Sequence, residues 1–198
     1  MADCLSLQLD PRSVGRSELA ALYWQAFPNS FTRSVMGSLS RAVALVGAQL
    51  DSGQALCAMR GSRLVGLAGL RYGRRSFFSP RLSTSVSTAG ILRGALACAV
   101  LGMVGHGAKL EEMYVEALAV RPGSRRQAVG TTLLNSAFEL ARAEGLLAVS
   151  LDVVDTNTGA GRLYERLGFV PVSRHRYPLV RPLVGVSATI RMVRLLAP

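Results

Sequence analysis

The chain has 198 residues, 49% of them hydrophobic and 18% charged, with 20 glycines and 8 prolines, which fits one globular domain and excludes a disordered or collagen-like chain. The net charge of +11 comes almost wholly from arginine, Lys109 being the single lysine; with no basic run interleaved with aromatics, this reads as coding bias and argues against nucleic-acid recognition as the main role. Three scattered cysteines (Cys4, Cys57, Cys98) and two histidines (His106, His175) suggest neither a disulfide framework nor a metal site, so no metal is expected.

Residues 1–10 contain Asp3 and Asp10 and lack a basic region followed by an apolar run, so no signal peptide is expected and a bacterial cytoplasm is the expected setting. Residues 5–9 alternate as a first strand. Residues 18–27 form a helix with Ser17 placed to cap it and Leu19, Leu22 and Tyr23 on one face. Residues 54–59 and 64–71 are two strands joined by the turn Arg60-Gly61-Ser62-Arg63. Residues 73–108 read as an insertion in a single domain spanning 1–198: a polar Ser/Thr/Arg stretch, then an apolar helix over 89–105. That helix is interrupted by Arg93 and several glycines and is too short to span a membrane. Its spacing suits packing on its own domain or a homodimer contact.

A strand follows over 111–120, a loop over 121–127, and a helix over 129–144 stopped by Gly145. Residues 147–153 are an apolar strand, 159–167 a helix stopped by Gly168, and 169–173 and 187–195 the closing strands. The order indicates an α/β layered domain with a mixed sheet.

The chemistry concentrates after Val120. The strand runs through Arg121-Pro122-Gly123-Ser124-Arg125-Arg126-Gln127-Ala128-Val129-Gly130-Thr131 into a helix. A helix N-terminus exposes unpaired N–H groups and partial positive charge. Ala128 and Gly130 let a ligand approach that backbone, and Arg125 and Arg126 are charged donors to phosphate. Together these suit a pyrophosphate cradle, although by themselves they equally describe a structural turn in any Gly-containing strand–loop–helix. The Gly-Lys-Ser/Thr of a P-loop and the Gly-x-Gly-x-x-Gly of a dinucleotide fold are both absent. Further on stands Asn157-Thr158-Gly159-Ala160-Gly161-Arg162-Leu163-Tyr164-Glu165-Arg166-Leu167-Gly168-Phe169.

These two segments together resemble the GNAT superfamily of acyl-CoA N-acyltransferases. Arg125 to Gly130 fits the family's phosphate loop, Arg/Gln-x-x-Gly/Ala-x-Gly/Ala. The stretch Asn157 to Phe169 matches every fixed position of its Asn-x-x-Ala-x-x-Leu-Tyr-x-x-x-Gly-Phe motif. The separation, one amphipathic helix and one apolar strand, also matches. The resemblance covers residues 111–173 and implies a mixed, mostly antiparallel sheet of about six or seven strands flanked by helices and splayed at the acyl-CoA site. One departure is Ala128, where glycine is commonest; a negative φ is expected there, since a helix N-terminus does not require a positive one.

The resemblance implies an acetyl-CoA-dependent N-acetyltransferase that transfers directly to a primary amine, on a small molecule or a peptide N-terminus or lysine. Leu118, Ala119 and Val120 would pair with the pantetheine arm. Arg125, Arg126, Gln127, Ala128, Val129, Gly130 and Thr131 would hold the pyrophosphate. Asn157 would hydrogen-bond the pantetheine region, or cap its helix, and Tyr164 would protonate the departing thiolate.

For the general base, strand parity places Glu112, Tyr114, Glu116, Leu118 and Val120 on one face. Glu116 is the first choice because it is nearest the splayed end, where desolvation would raise its pKa, and Glu112 is the second. The acceptor would be chosen by 23–31, 73–108 and 174–186, and the scarcity of acidic residues favours a small or negatively charged amine or a peptide N-terminus. Two other readings are a non-catalytic acyl-CoA-binding regulator and a basic nucleic-acid or membrane-surface binder.

Overall fold

Apolar runs rich in Val, Leu and Ala build the sheet. In the computed structural model, which describes residues 5–11, 13–25, 38–79, 81, 111–176 and 187–196, eight strands form one sheet. They are β1 (Leu5–Leu9), β2 (Ala55–Arg60), β3 (Arg63–Tyr72), β4 (Arg75–Ser76), β5 (Glu112–Val120), β6 (Ala148–Val154), β7 (Val170–Arg176) and β8 (Ala188–Leu195). Their order is β1-β2-β3-β5-β6-β8-β7, with β4 beside β3. Only β5 and β6 pair in parallel. A parallel pair needs a crossover, here supplied by helix α3 (Val129–Ala143).

Helices α1 (Arg16–Trp24) and α2 (Leu39–Gly47) cover one face, where Leu19, Leu22, Trp24, Leu45 and Val46 pack with Phe77 and Phe78. Helices α3 and α4 (Thr158–Arg166) cover the other, where Leu133, Leu134, Phe138 and Tyr164 pack with Val115, Val149 and Phe169. Gly66 sets how closely α3 seats: a Cβ there would stand 2.6 Å from Val129 Cγ1. The bare backbone of β3 therefore lets the first turn of α3 rest at the end of the sheet.

Three local expectations change. The first helix is capped at Gly15 and not by Ser17, which lies within its first turn, and Gly15 offers no side chain. Helix α2 was not legible from periodicity, although Ser38 caps it by accepting from the Arg41 N–H at 3.3 Å and Ala42, Leu45 and Val46 form its buried stripe. Residues 73–79 belong to the fold: β4 pairs with β3, and Phe77 is wholly buried. The apolar segment 89–105 and the segments 26–37 and 177–186 lie outside the described residues.

Strand β5 carries the irregularity that shapes the site. Its pairing with β3 runs from Gly66↔Val120 to Gly69↔Ala117, then resumes at Leu70↔Val115. Glu116 is the extra residue, a β-bulge. A one-residue insertion exchanges the faces beyond it. Leu118 and Val120 therefore pack on the α3 side with Val115, while Ala117 and Ala119 join the α1 side. The parity that put Glu116, Leu118 and Val120 on one face is corrected by this bulge.

Candidate active site

Beyond the bulge, β5 and β6 part. Their ladder covers Glu112–Val115 against Ala148–Leu151 and stops. Strand β5 continues along β3 to Val120 and β6 along β8 to Val154, so a wedge opens between them. An extended ligand arm can add to β5 here as another strand would.

At the mouth of the wedge lies a cavity of about 740 Å³. Its walls include Leu118, Ala119, Val120, Arg125, Arg126, Ala128, Val129, Gly130, Thr131, Asn157 and Tyr164. Of the residues picked for the cofactor, only Gln127 stays out of the walls; its Nε2 donates back to the Gly123 carbonyl at 3.1 Å, holding the loop closed. Sequence reasoning missed Gln25, which ends α1, and also Ser124, Leu163 and Arg166. Arg166 sits two residues past Tyr164 in the second motif, a signal that was present. Gln25 arrives only through tertiary packing.

The loop conformation answers the question posed by Ala128. Both Arg126 (φ 60) and Ala128 (φ 58) are left-handed, so the negative φ expected at Ala128 is corrected. Arg125 before them is extended (φ -68, ψ 156), and left-handed residues in such a loop turn backbone N–H groups into a concavity of the kind that suits an anion. The turn over Pro122–Ser124 delivers the chain to it, with the Ser124 N–H donating to Arg121 O at 2.9 Å. Non-glycine residues in this region are strained by about 1–2 kcal/mol each.

As the N-cap, Ala128 offers no side-chain acceptor, and the first-turn N–H groups of α3 have no intrahelical partner. They face a cavity whose walls carry Arg125, Arg126 and Arg166 and, among the described residues, no acidic one. Arg125 is steadied by its Nε donating to the Val120 carbonyl at 3.2 Å. The arrangement suits a polyanion.

On the opposite wall, Asn157 caps α4, its Oδ1 accepting from the Ala160 N–H at 3.2 Å. That bond uses the oxygen and leaves the amide NH₂ as a donor. Tyr164 is buried and stands edge-on to Phe169, with centroids 5.8 Å apart. Burial pushes its pKa up to about 12. Among the described residues no hydrogen bond satisfies its hydroxyl, which stays protonated at neutral pH and can donate.

Glu116 stands apart. It is not in the cavity wall. Its side chain is 8% exposed and forms an ion pair with Arg71. It also accepts from Ser76 Oγ at 2.9 and 3.0 Å and from the Phe78 N–H at 2.9 Å. Burial raises its pKa above the ordinary carboxylate value, against the pull of Arg71 and the two hydrogen bonds. Glu112 is bound to Arg191 at 2.8 Å in a buried pair. Among the described residues no group of three or more His, Cys, Asp or Glu side chains could hold a metal ion, and no helix is long and apolar enough to cross a membrane.

A splayed sheet with an uncapped helix N-terminus and a buried tyrosine at its mouth suits a ligand with an extended arm and an anionic end. The sequence profile of the Acetyltransferase (GNAT) family matches residues 16–169, most of the chain, and the protein belongs to this family of acyltransferases.

A curated relative, mycothiol acetyltransferase of Beutenbergia cavernae, is 41% identical over 64 residues, 32% of this chain but only 21% of that protein. The fold matches the ribosomal-protein-S18-alanine N-acetyltransferase of Escherichia coli with a TM-score of 0.55, at 17% identity over 98% of this chain and 96% of that one. It also matches a GNAT family acetyltransferase from Elizabethkingia anophelis with acetyl-CoA bound, with a TM-score of 0.56 at 11% identity over 98% and 99% of the two chains.

Proposed function

We propose that this protein is an acetyl-CoA-dependent N-acetyltransferase that moves an acetyl group directly to a primary amine, on a small molecule or on a peptide N-terminus or lysine. The observation that carries this reading is the uncapped N-terminus of α3, preceded by two left-handed residues, opening into the same cavity as Asn157 and Tyr164. The residues fit the donor. A polar, arginine-rich nest suits a pyrophosphate, the unpaired edge of β5 suits an amide-bearing arm, and the wedge narrows toward Glu116.

Acetyl-CoA supplies a thioester, so the amine nitrogen forms the new C–N bond, the C–S bond breaks, the amine sheds a proton and the thiolate gains one. The backbone of Leu118, Ala119 and Val120 receives the arm. The N–H groups of Val129, Gly130 and Thr131, with Arg125 and Arg126, hold the phosphates, and Gln127 and Ala128 maintain the loop that presents them. Asn157 donates to the arm. Tyr164, protonated and otherwise unbonded, donates to the thiolate.

Glu116 is the proton acceptor in this scheme, reaching the amine through water because its own oxygens are held by Arg71, Ser76 and Phe78.

The test is a thermal-shift titration with acetyl-CoA, with ADP as control, followed by thiol-release assays over an amine panel. Saturation at about 100 times Kd should add roughly 2.7 kcal/mol of apparent stability. No shift at millimolar acetyl-CoA overturns the proposal. A shift without turnover of any amine would favour the non-catalytic regulator.

A further inference from the structure

We propose that the β3–β4 hairpin forms a binding subsite for an anionic group, a carboxylate or phosphate, on the amine acceptor. This names the substrate class of the reading above and rests on it. The observation is a second cavity of about 380 Å³ whose walls include Arg71, Arg74, Arg75, Ser76 and Phe78 and, among the described residues, no acidic one. Three arginines of one short hairpin line it, and only one is neutralised. Arg71 is paired with Glu116, while Arg74 and Arg75 are exposed and form no ion pair among the described residues. Two unmatched positive charges at a concave surface are a receptor for an anion, because guanidinium recognises carboxylate and phosphate by paired N–H donors.

The hairpin is held firmly enough to read such a group. Gly73, at φ 57, makes the tight turn. Arg71↔Ser76 and Tyr72↔Arg75 pair across it. Phe77 then anchors it in the core, so close to β3 that a Cβ at Gly69 would stand 2.2 Å from its ring. The arginines therefore project from a fixed base, which lowers the entropy lost on binding.

The place of the cavity connects it to the acceptor. Along β3, Gly66 pairs with Val120 at the phosphate end and Arg71 with Tyr114 at the other, roughly 17 Å apart at strand rise. The bulge at Glu116 lies between, and its carboxylate touches Ser76, Phe78 and Arg71, three residues of the second cavity. A donor arm entering from the phosphate end brings its thioester toward the bulge. The acceptor then enters from the opposite end, past Arg74 and Arg75.

The experiment titrates the full-length protein, with and without saturating acetyl-CoA, with glutarate, with inorganic phosphate and with glutaramide as the neutral control. The same titrations are made on the double variant Arg74→Glu/Arg75→Glu. The wild type should bind at least one of the anions, about tenfold or more tightly than glutaramide, and the double variant should lose that preference. The acetyl-CoA thermal shift of the double variant should match the wild type, which shows that it folds and that the cofactor cleft is intact.

Preference for glutarate or for phosphate identifies the carboxylate or the phosphate as the group recognised. Equal binding of anion and amide, or equal anion binding by wild type and variant, overturns the inference. A wild type that shows no acetyl-CoA shift overturns the acetyltransferase reading instead, while the anion titrations without acetyl-CoA still decide the subsite.

Discussion

The two cavities are built by different means. The cofactor cleft is made from continuous chain: a strand end, a loop of two left-handed residues and the first turn of α3, faced by the start and middle of α4. Its recognition is mostly backbone N–H and helix dipole, so it depends on conformation more than on side-chain identity. The acceptor side is assembled from strands far apart in sequence. There a bulge in β5 meets a hairpin forty residues earlier, and Glu116 is fixed by Ser76, Phe78 and Arg71. The first region should tolerate changes that keep the loop open and fail when the cleft is filled. The second should respond to single charges.

Filling the cleft gives the largest expected effect. Gly130→Glu places a carboxylate among the proposed phosphate donors, while its Cβ comes to 3.4 Å from the Leu163 side chain and to an ordinary 3.9 Å from those of Leu118 and Val120. It should abolish the acetyl-CoA thermal shift, measured on a variant whose own melting temperature stays close to wild type. A retained shift would show that the phosphates lie elsewhere.

On the acceptor side, Glu116→Gln should lower kcat by about 10²–10⁴-fold if the carboxylate takes the proton. Because burial raises its pKa, wild-type activity should climb with pH through that raised value, and the climb should vanish in the variant. Stability should respond to the same shift. A carboxyl whose folded pKa is raised stabilises the protein below its unfolded pKa, and this contribution is lost as pH rises through the folded pKa. The wild type should therefore lose stability relative to Glu116→Gln in urea titrations as pH rises from the ordinary carboxylate range through the raised pKa of the folded state. A relative gain would mean that Arg71 outweighs desolvation.

Tyr164→Phe sharpens the contrast from within the cleft. Its hydroxyl has no hydrogen bond among the described residues, so folding and acetyl-CoA binding should survive while kcat falls about 10²-fold. With a pKa of about 12, Tyr164 should give the wild-type profile no basic limb near neutrality. An unchanged kcat would reduce it to packing against Phe169.

The smallest effect is expected at Ala128. Ala128→Gly removes a Cβ from a left-handed residue and should stabilise the protein by about 1 kcal/mol, less the entropy glycine gains in the unfolded chain. A urea titration measures it, and the acetyl-CoA shift should persist. Destabilisation would show that the methyl group packs usefully.

How much could be read in advance follows the same division. The elements from β5 to β8 were legible because their periodicity is clean and Gly145 and Gly168, at φ 69 and 81, stop the helices where glycine is needed. Helix α2 was not, because a short apolar segment carries a helical stripe too brief to separate from loop. The cleft residues were legible because loop and helix start are adjacent in the chain, and Asn157 both caps α4 and lines the cavity.

By itself the sequence determined the strand–loop–helix cradle, the helix that follows the second motif and the identity of Tyr164, since local spacing places them whatever the distant chain does. Only the tertiary structure decided the rest. It turned Ala128 left-handed to aim the loop, ended the β5–β6 ladder at Val115 and Leu151, and inserted Glu116 as the extra residue that moves Leu118 and Val120 to the α3 side. It also brought Arg71 and Ser76 to Glu116. A bulge is a mismatch between two strands, and its position depends on the pairing of both, which neither strand carries alone.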